Sequence, residues 1–218
     1  MKRSSLNRAS GLAALALTMS FGLAACGGEA ASDEPAAASK SQSSSPKESM
    51  ESEPMTEDAG AKTFGPGCSA IPATGDGSFN GMATAPVASA ASANPLLKTL
   101  VAAVMKADLV DTLNSAEDIT VFAPTDDAFA KIPKKTLKAV LKDKATLTKI
   151  LTHHVVPGQL GPDQLAGEHK TLAGDMLTVE GSGEEFTVAG DNAAVLCGNI
   201  PTANATVYVV DTVLMPAS

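Results

Sequence analysis

The hydrophobic spacing of this chain changes period part-way along, and that change limits the folds open to it. Between Asn94 and His154 apolar residues recur at helical intervals, and between Met176 and Leu214 they alternate. Leu97, Leu100, Val101 and Val104 fall at i, i+3, i+4 and i+7, one buried helical face, and Asn94-Pro95 ahead of them supplies a capping side chain and a proline suited to the first helical position. Residues 109–114 add a short helical turn. Ile119-Thr120-Val121-Phe122-Ala123-Pro124 has the β-branched and aromatic content of a buried strand stopped by proline. Thr125-Asp126-Asp127 caps a short helix over 128–132. Two more helices carry Leu137, Val140 and Leu141, then Leu147, Ile150, Leu151 and His154, before Val155-Val156 leads into a strand and a Pro157-Gly158 turn. Strands are expected over 176–180, 185–189, 194–197 and 205–214, separated by Gly181-Ser182-Gly183 and Gly190-Asp191-Asn192. Helices early and strands late predict an α+β domain with largely antiparallel pairing.

The amino terminus is of another kind. Met1 to Arg8 is basic, residues 11–25 are apolar and uncharged, and the run halts at Leu23-Ala24-Ala25-Cys26-Gly27. It falls short of the ~20 apolar residues a spanning helix needs, so it reads as a secretory signal. The halt resembles the bacterial lipobox, which implies cleavage between Ala25 and Cys26 and acylation of Cys26. More than one acyl chain on that cysteine meets the requirement for stable anchoring. An ordinary signal cleavage nearby, releasing a soluble protein, is the other reading.

Residues 26–62 are dominated by Ala, Ser, Pro, Glu and Asp. Such a segment buries too little apolar surface to offset its ordering entropy, so a disordered tether is expected, with a single domain over 63–218. The net charge of −8 becomes −11 when Lys2, Arg3 and Arg8 leave with the signal. That balance speaks against nucleic acid, which draws on basic clusters, and no polybasic stretch follows Cys26. The lipid on Cys26, rather than charge, is the expected membrane contact.

Three segments carry a family resemblance. Thr120-Val121-Phe122-Ala123-Pro124-Thr125-Asp126-Asp127-Ala128-Phe129 and Ile150-Leu151-Thr152-His153-His154-Val155-Val156-Pro157-Gly158 resemble the two signatures of the fasciclin (FAS1) domain. Asn204-Ala205-Thr206-Val207-Tyr208-Val209-Val210-Asp211-Thr212-Val213-Leu214-Met215-Pro216 resembles its closing strand. Phe64-Gly65-Pro66-Gly67-Cys68, residues 109–115, Val195-Leu196-Cys197-Gly198 and residues 202–208 extend the likeness to secreted and lipid-anchored mycobacterial antigens of that family. The resemblance implies two β-sheets in a wedge with helices packed at one side, and a role in adhesion or in binding an extracellular protein or matrix component.

With Cys26 lipidated, Cys68 and Cys197 remain as an even pair in an oxidising compartment, and a disulfide is expected there, as the resemblance also implies. Two buried free thiols are the alternative. His154 reads as a core imidazole. The resemblance offers another role, since animal members carry a tyrosine-histidine pair linked to integrin binding where this chain has His153-His154.

For catalysis, metal or cofactor the sequence offers little. It has three histidines, two adjacent and His169 in an expected loop, with neither His-Glu-x-x-His nor Gly-x-Ser-x-Gly. Asp126-Asp127 suits a helix start. Asn204-Ala205-Thr206 matches a glycosylation sequon, but a bacterial strand makes Thr206 an ordinary sheet residue. The expectation is a non-enzymatic surface module without metal or cofactor. A rival is an envelope carrier or sensor of a small apolar ligand held between sheet and helices.

Overall fold

Alternating side chains in two strands buried on both faces set the architecture. A computed structural model describes residues 58–188 and 190–216; the signal, the lipobox with Ala25 and Cys26, and residues 26–57 of the expected tether lie outside the described residues. The described residues contain β1 (Ile119–Pro124), β2 (Val155–Pro157), β3 (Gly167–Lys170), β4 (Met176–Ser182), β5 (Glu185–Val188), β6 (Ala193–Pro201) and β7 (Ala205–Val210). Their spatial order is β2-β1-β7-β6-β5-β4-β3. Every neighbouring pair is antiparallel except β1 and β7, which run parallel.

Strand β6 belongs to two sheets at once. Its first residues, Ala193 and Ala194, pair with β5, and the stretch from Val195 to Pro201 pairs with β7 through two register shifts. Irregular pairing of this kind bends a strand and increases its twist. The ladder therefore folds into a wedge with β6 at the join.

Both β1 and β7 are buried along their whole length. Because successive side chains point to opposite faces, each strand feeds two cores. Phe122, Tyr208 and Val210 enter the wedge with Phe64, Leu177, Val179, Phe186, Val188 and Leu214. Val121, Ala123, Val207 and Val209 face the helices. Those helices are α1 (Phe79–Ala83), α2 (Val87–Ala93), α3 (Lys98–Lys106), α4 (Val110–Ser115), α5 (Asp126–Ala130), α6 (Lys134–Lys142) and α7 (Lys144–His153), with a single turn α8 (Pro162–Leu165) before β3.

Several local expectations are corrected. Helix α3 begins at Lys98 rather than at Asn94-Pro95. Asn94 keeps its side chain local, its Oδ1 accepting from the Leu96 N–H at 3.0 Å, while the α3 N–H of Thr99 donates to Asp126 Oδ1 at 2.7 Å. The cap thus comes from α5, 27 residues on. Strand β7 stops at Val210 because Asp211 turns back on β6: its N–H donates to Ala194 O at 3.1 Å and its Oδ1 accepts from the Ala194 N–H at 2.8 Å. His169 lies in β3, not in a loop, with Nε2 2.8 Å from Leu165 O. Helices α1 and α2 were not foreseen. In α2, Val-Ala-Ser-Ala-Ala-Ser-Ala buries only Val87 and Ala90, too little to show a stripe.

Candidate functional site

Helix α7 delivers two adjacent histidines to its carboxyl end, and the backbone there sends them to different surroundings. His153 is the last helical residue and His154 the C-cap. Their ring centroids are 6.4 Å apart and nearly perpendicular.

His154 is 2% exposed. Nδ1 lies 2.8 Å from Ile150 O, and a carbonyl only accepts, so Nδ1 carries the proton. Nε2 then accepts from the Leu214 N–H at 3.0 Å. Both ring nitrogens are used by the neutral imidazole, which ties α7 to the segment after β7. Burial lowers its pKa to about 4, against the raising effect of the Ile150 carbonyl and with a small contribution from His153. This is a core residue by geometry.

His153 is also buried, and its Nδ1 meets Asp175 Oδ1 at 2.8 Å. The Thr171 hydroxyl donates to the same oxygen, while Asp175 Oδ2 is buried without a partner among the described residues. Burial pushes the Asp175 carboxyl up, but the hydrogen bonds from Thr171 and His153 outweigh it and leave it below its ordinary value. The Thr171–Asp175 turn is also held by the Leu172 N–H, which donates to Val155 O at 2.8 Å. His153 thereby clasps the β3–β4 turn against α7 and β2. Asp175 and Thr171 went unnoticed in the sequence because their partner is about twenty residues away.

The turn carries Leu172 to the rim of a cavity of about 150 Å³ between the β1/β7 face and helices α2, α3 and α4. Leu97, Leu100, Val104, Val121 and Val207 form part of its wall. Met105 and Leu172 line it while staying 58% and 47% exposed, so they mark its mouth.

Cys68 and Cys197 form a disulfide that ties the 3-10 helix at Pro66–Ala70 to β6. Beside it, Phe64 pairs with Gly198 through backbone hydrogen bonds. Position 198 has to be glycine because an added Cβ would sit 2.4 Å from the Phe64 ring. Asn204 is a further residue whose part was missed. Its Oδ1 accepts from the Val87 N–H at 2.8 Å, and its Nδ2 donates to Leu113 O and Ala116 O at 2.8 and 2.6 Å, so one amide joins α2, α4 and the start of β7. Among the described residues no cluster of three His, Cys, Asp or Glu is placed to hold a metal, and no helix is long and apolar enough to cross a membrane.

The β1–α5 signature, the α7–β2 signature and the β7 closing strand are thus assembled around one sheet, and residues 95–216 match the family model described as Fasciclin domain. The chain belongs to the fasciclin domain family. Among individual proteins, it is 48% identical over 167 residues to the cell surface glycolipoprotein MPT83 of Mycobacterium tuberculosis, covering 73% of this chain and 74% of that one. It is likewise 48% identical over 166 residues to the immunogenic protein MPB70 of Mycobacterium bovis, covering 72% and 84%. Among solved structures it is similar to a FAS1 domain pair from the insect cell adhesion molecule fasciclin I, with a TM-score of 0.46, 22% identity and coverage of 55% of this chain and 45% of the pair.

Proposed function

We propose that this chain is a lipid-anchored cell-surface protein whose fasciclin domain mediates adhesion or protein–protein interaction outside the cell. In this reading residues 1–25 are the signal, Cys26 is acylated, residues 26–62 are the tether and residues 63–218 the displayed domain. The observation that carries it is the 48% identity, over 73% of the chain, with a protein named as a cell surface glycolipoprotein. The basic and apolar leader ending in Leu23-Ala24-Ala25-Cys26 supports the anchor. The domain's polar side chains support a binding role over catalysis, since buried His154 and half-buried Asn204 and Asp126 are engaged in holding elements together. The extracellular partner is a protein or matrix component.

Replacing Cys26 tests the anchor and the display together. The Cys26→Ala chain is expected to melt at the same temperature as the parent domain and to be recovered from the medium. Cells carrying it are expected to lose the extra attachment to matrix-coated surfaces that the anchored protein confers. Retention of the variant in the membrane fraction would refute lipid anchoring, and equal attachment of both strains would refute adhesion.

A further inference from the structure

The cavity beneath the helices has a size and a lining that select a ligand. An apolar void of about 150 Å³ is of the order that stays dry in a protein and takes up benzene. Among the described residues, none of the side chains around it is acidic, lysine or arginine. Its walls are aliphatic, with a few Ser and Thr hydroxyls and three buried polar side chains, His154, Asn94 and Thr202, the last with its hydroxyl engaged by the Ala205 backbone.

His154 has no hydrogen-bonding capacity left for a ligand, because Ile150 and Leu214 occupy both nitrogens. Asn94 is different. It is 1% exposed, and its Oδ1 is taken by the Leu96 N–H. Among the described residues its Nδ2 meets only the thioether of Met82, at 3.7 Å. Sulfur of that type is a weak acceptor, and a buried amide donor served so poorly carries a desolvation cost that an oxygen acceptor would remove.

The geometry points to a binding site for a small uncharged molecule, with a hydrocarbon body against Leu100, Val104 and Val121 and one carbonyl oxygen on Asn94 Nδ2. Entry is between Met105 and Leu172, the two exposed apolar side chains at the mouth. A carboxylate or ammonium group would be buried there without a counter-charge, so charged molecules of the same shape are rejected. This site is independent of the lipid anchor and adds carriage or sensing of a small ligand to the adhesive role.

Acetophenone, ethylbenzene and benzoate share a shape and differ in what they offer Asn94. Titrated into the full chain carrying Cys26→Ala, acetophenone is expected to bind saturably and to shift the Met82 and Met105 methyl resonances. Ethylbenzene is expected to bind about fivefold more weakly for want of the hydrogen bond, and benzoate more than about tenfold more weakly. Val101→Phe, which fills the space from α3, is expected to abolish acetophenone binding. Shifts that do not saturate, benzoate binding as tightly as acetophenone, or unchanged binding by a folded Val101→Phe chain would each overturn the site. The ligand series on the parent side chains keeps the test decisive if that variant misfolds. Equal affinity in the acylated chain supports a diffusible ligand. Binding confined to the Cys26→Ala chain would place the protein's own acyl group in the cavity and overturn the proposal.

Discussion

The two cores fed by β1 and β7 are filled by different means. Inside the wedge, Phe122 stacks on Tyr208 at 5.9 Å between centroids, and Phe64 leans on both Phe186 and Tyr208 at 5.6 and 6.3 Å. Large rings occupy the converging space between two sheets and bury much area each. On the helix side the same strands present Val121, Ala123 and Val207 to the Ala-, Leu- and Val-rich faces of α2 and α3, and a void remains. A wedge filled with rings makes a rigid frame, whereas small side chains between sheet and short helices leave room that a ligand can use.

Truncation on either side of β1 probes that difference most strongly. Phe122→Ala is expected to cost about 3–5 kcal/mol by opening a cavity in the wedge, read from urea unfolding followed by circular dichroism. Leu100→Ala, on the helix side, is expected at the lower end of its range, about 2–3 kcal/mol, because one of its neighbours is already empty space. Equal losses would mean that the two cores are packed alike.

Acid separates the cores next. His154 belongs to the helix side, and its pKa falls from an ordinary 6.5 to about 4. Above about pH 6.5 the imidazole is neutral whether the chain is folded or not, and its native hydrogen bonds are intact. Below that the unfolded chain takes up the proton first, so stability declines as pH falls towards 4, by roughly 3 kcal/mol. The lowered carboxyl of Asp175 acts in the same direction below its ordinary value near 3.8. The expected outcome is a progressive loss of stability between pH 6.5 and 4 that disappears in His154→Ala, itself less stable at pH 7. A pH-independent parent would show that His154 is not the buried neutral group described.

The smallest effect concerns the polar tip of the ring cluster. Tyr208 is fully buried, its hydroxyl donates to Leu160 O at 2.8 Å, and burial holds its pKa far above the ordinary phenol value. Tyr208→Phe keeps the ring and is expected to cost about 1 kcal/mol, measurable as a small fall in Tm. A loss as large as that of Phe122→Ala would mean that the wedge depends on its polar contact rather than on its rings.

Local pattern by itself determined β1, α5, α6 and α7, because each carries its own periodicity, cap or proline stop within a few residues. It also marked the cysteines, the paired histidines and the family segments. Tertiary structure decided what no window of sequence contains. The start of α3 is set by a carboxylate from α5, the end of β7 by Asp211 folding back on β6, and the join of α2 and α4 to the sheet by Asn204. The functional surroundings follow the same rule. His153 acquires its role from Asp175 across the β3–β4 turn, and the cavity exists only where three short helices fail to cover one sheet face. Periodicity records which side of an element is apolar. It does not record which distant group satisfies a backbone amide or how completely two apolar faces fill the space between them.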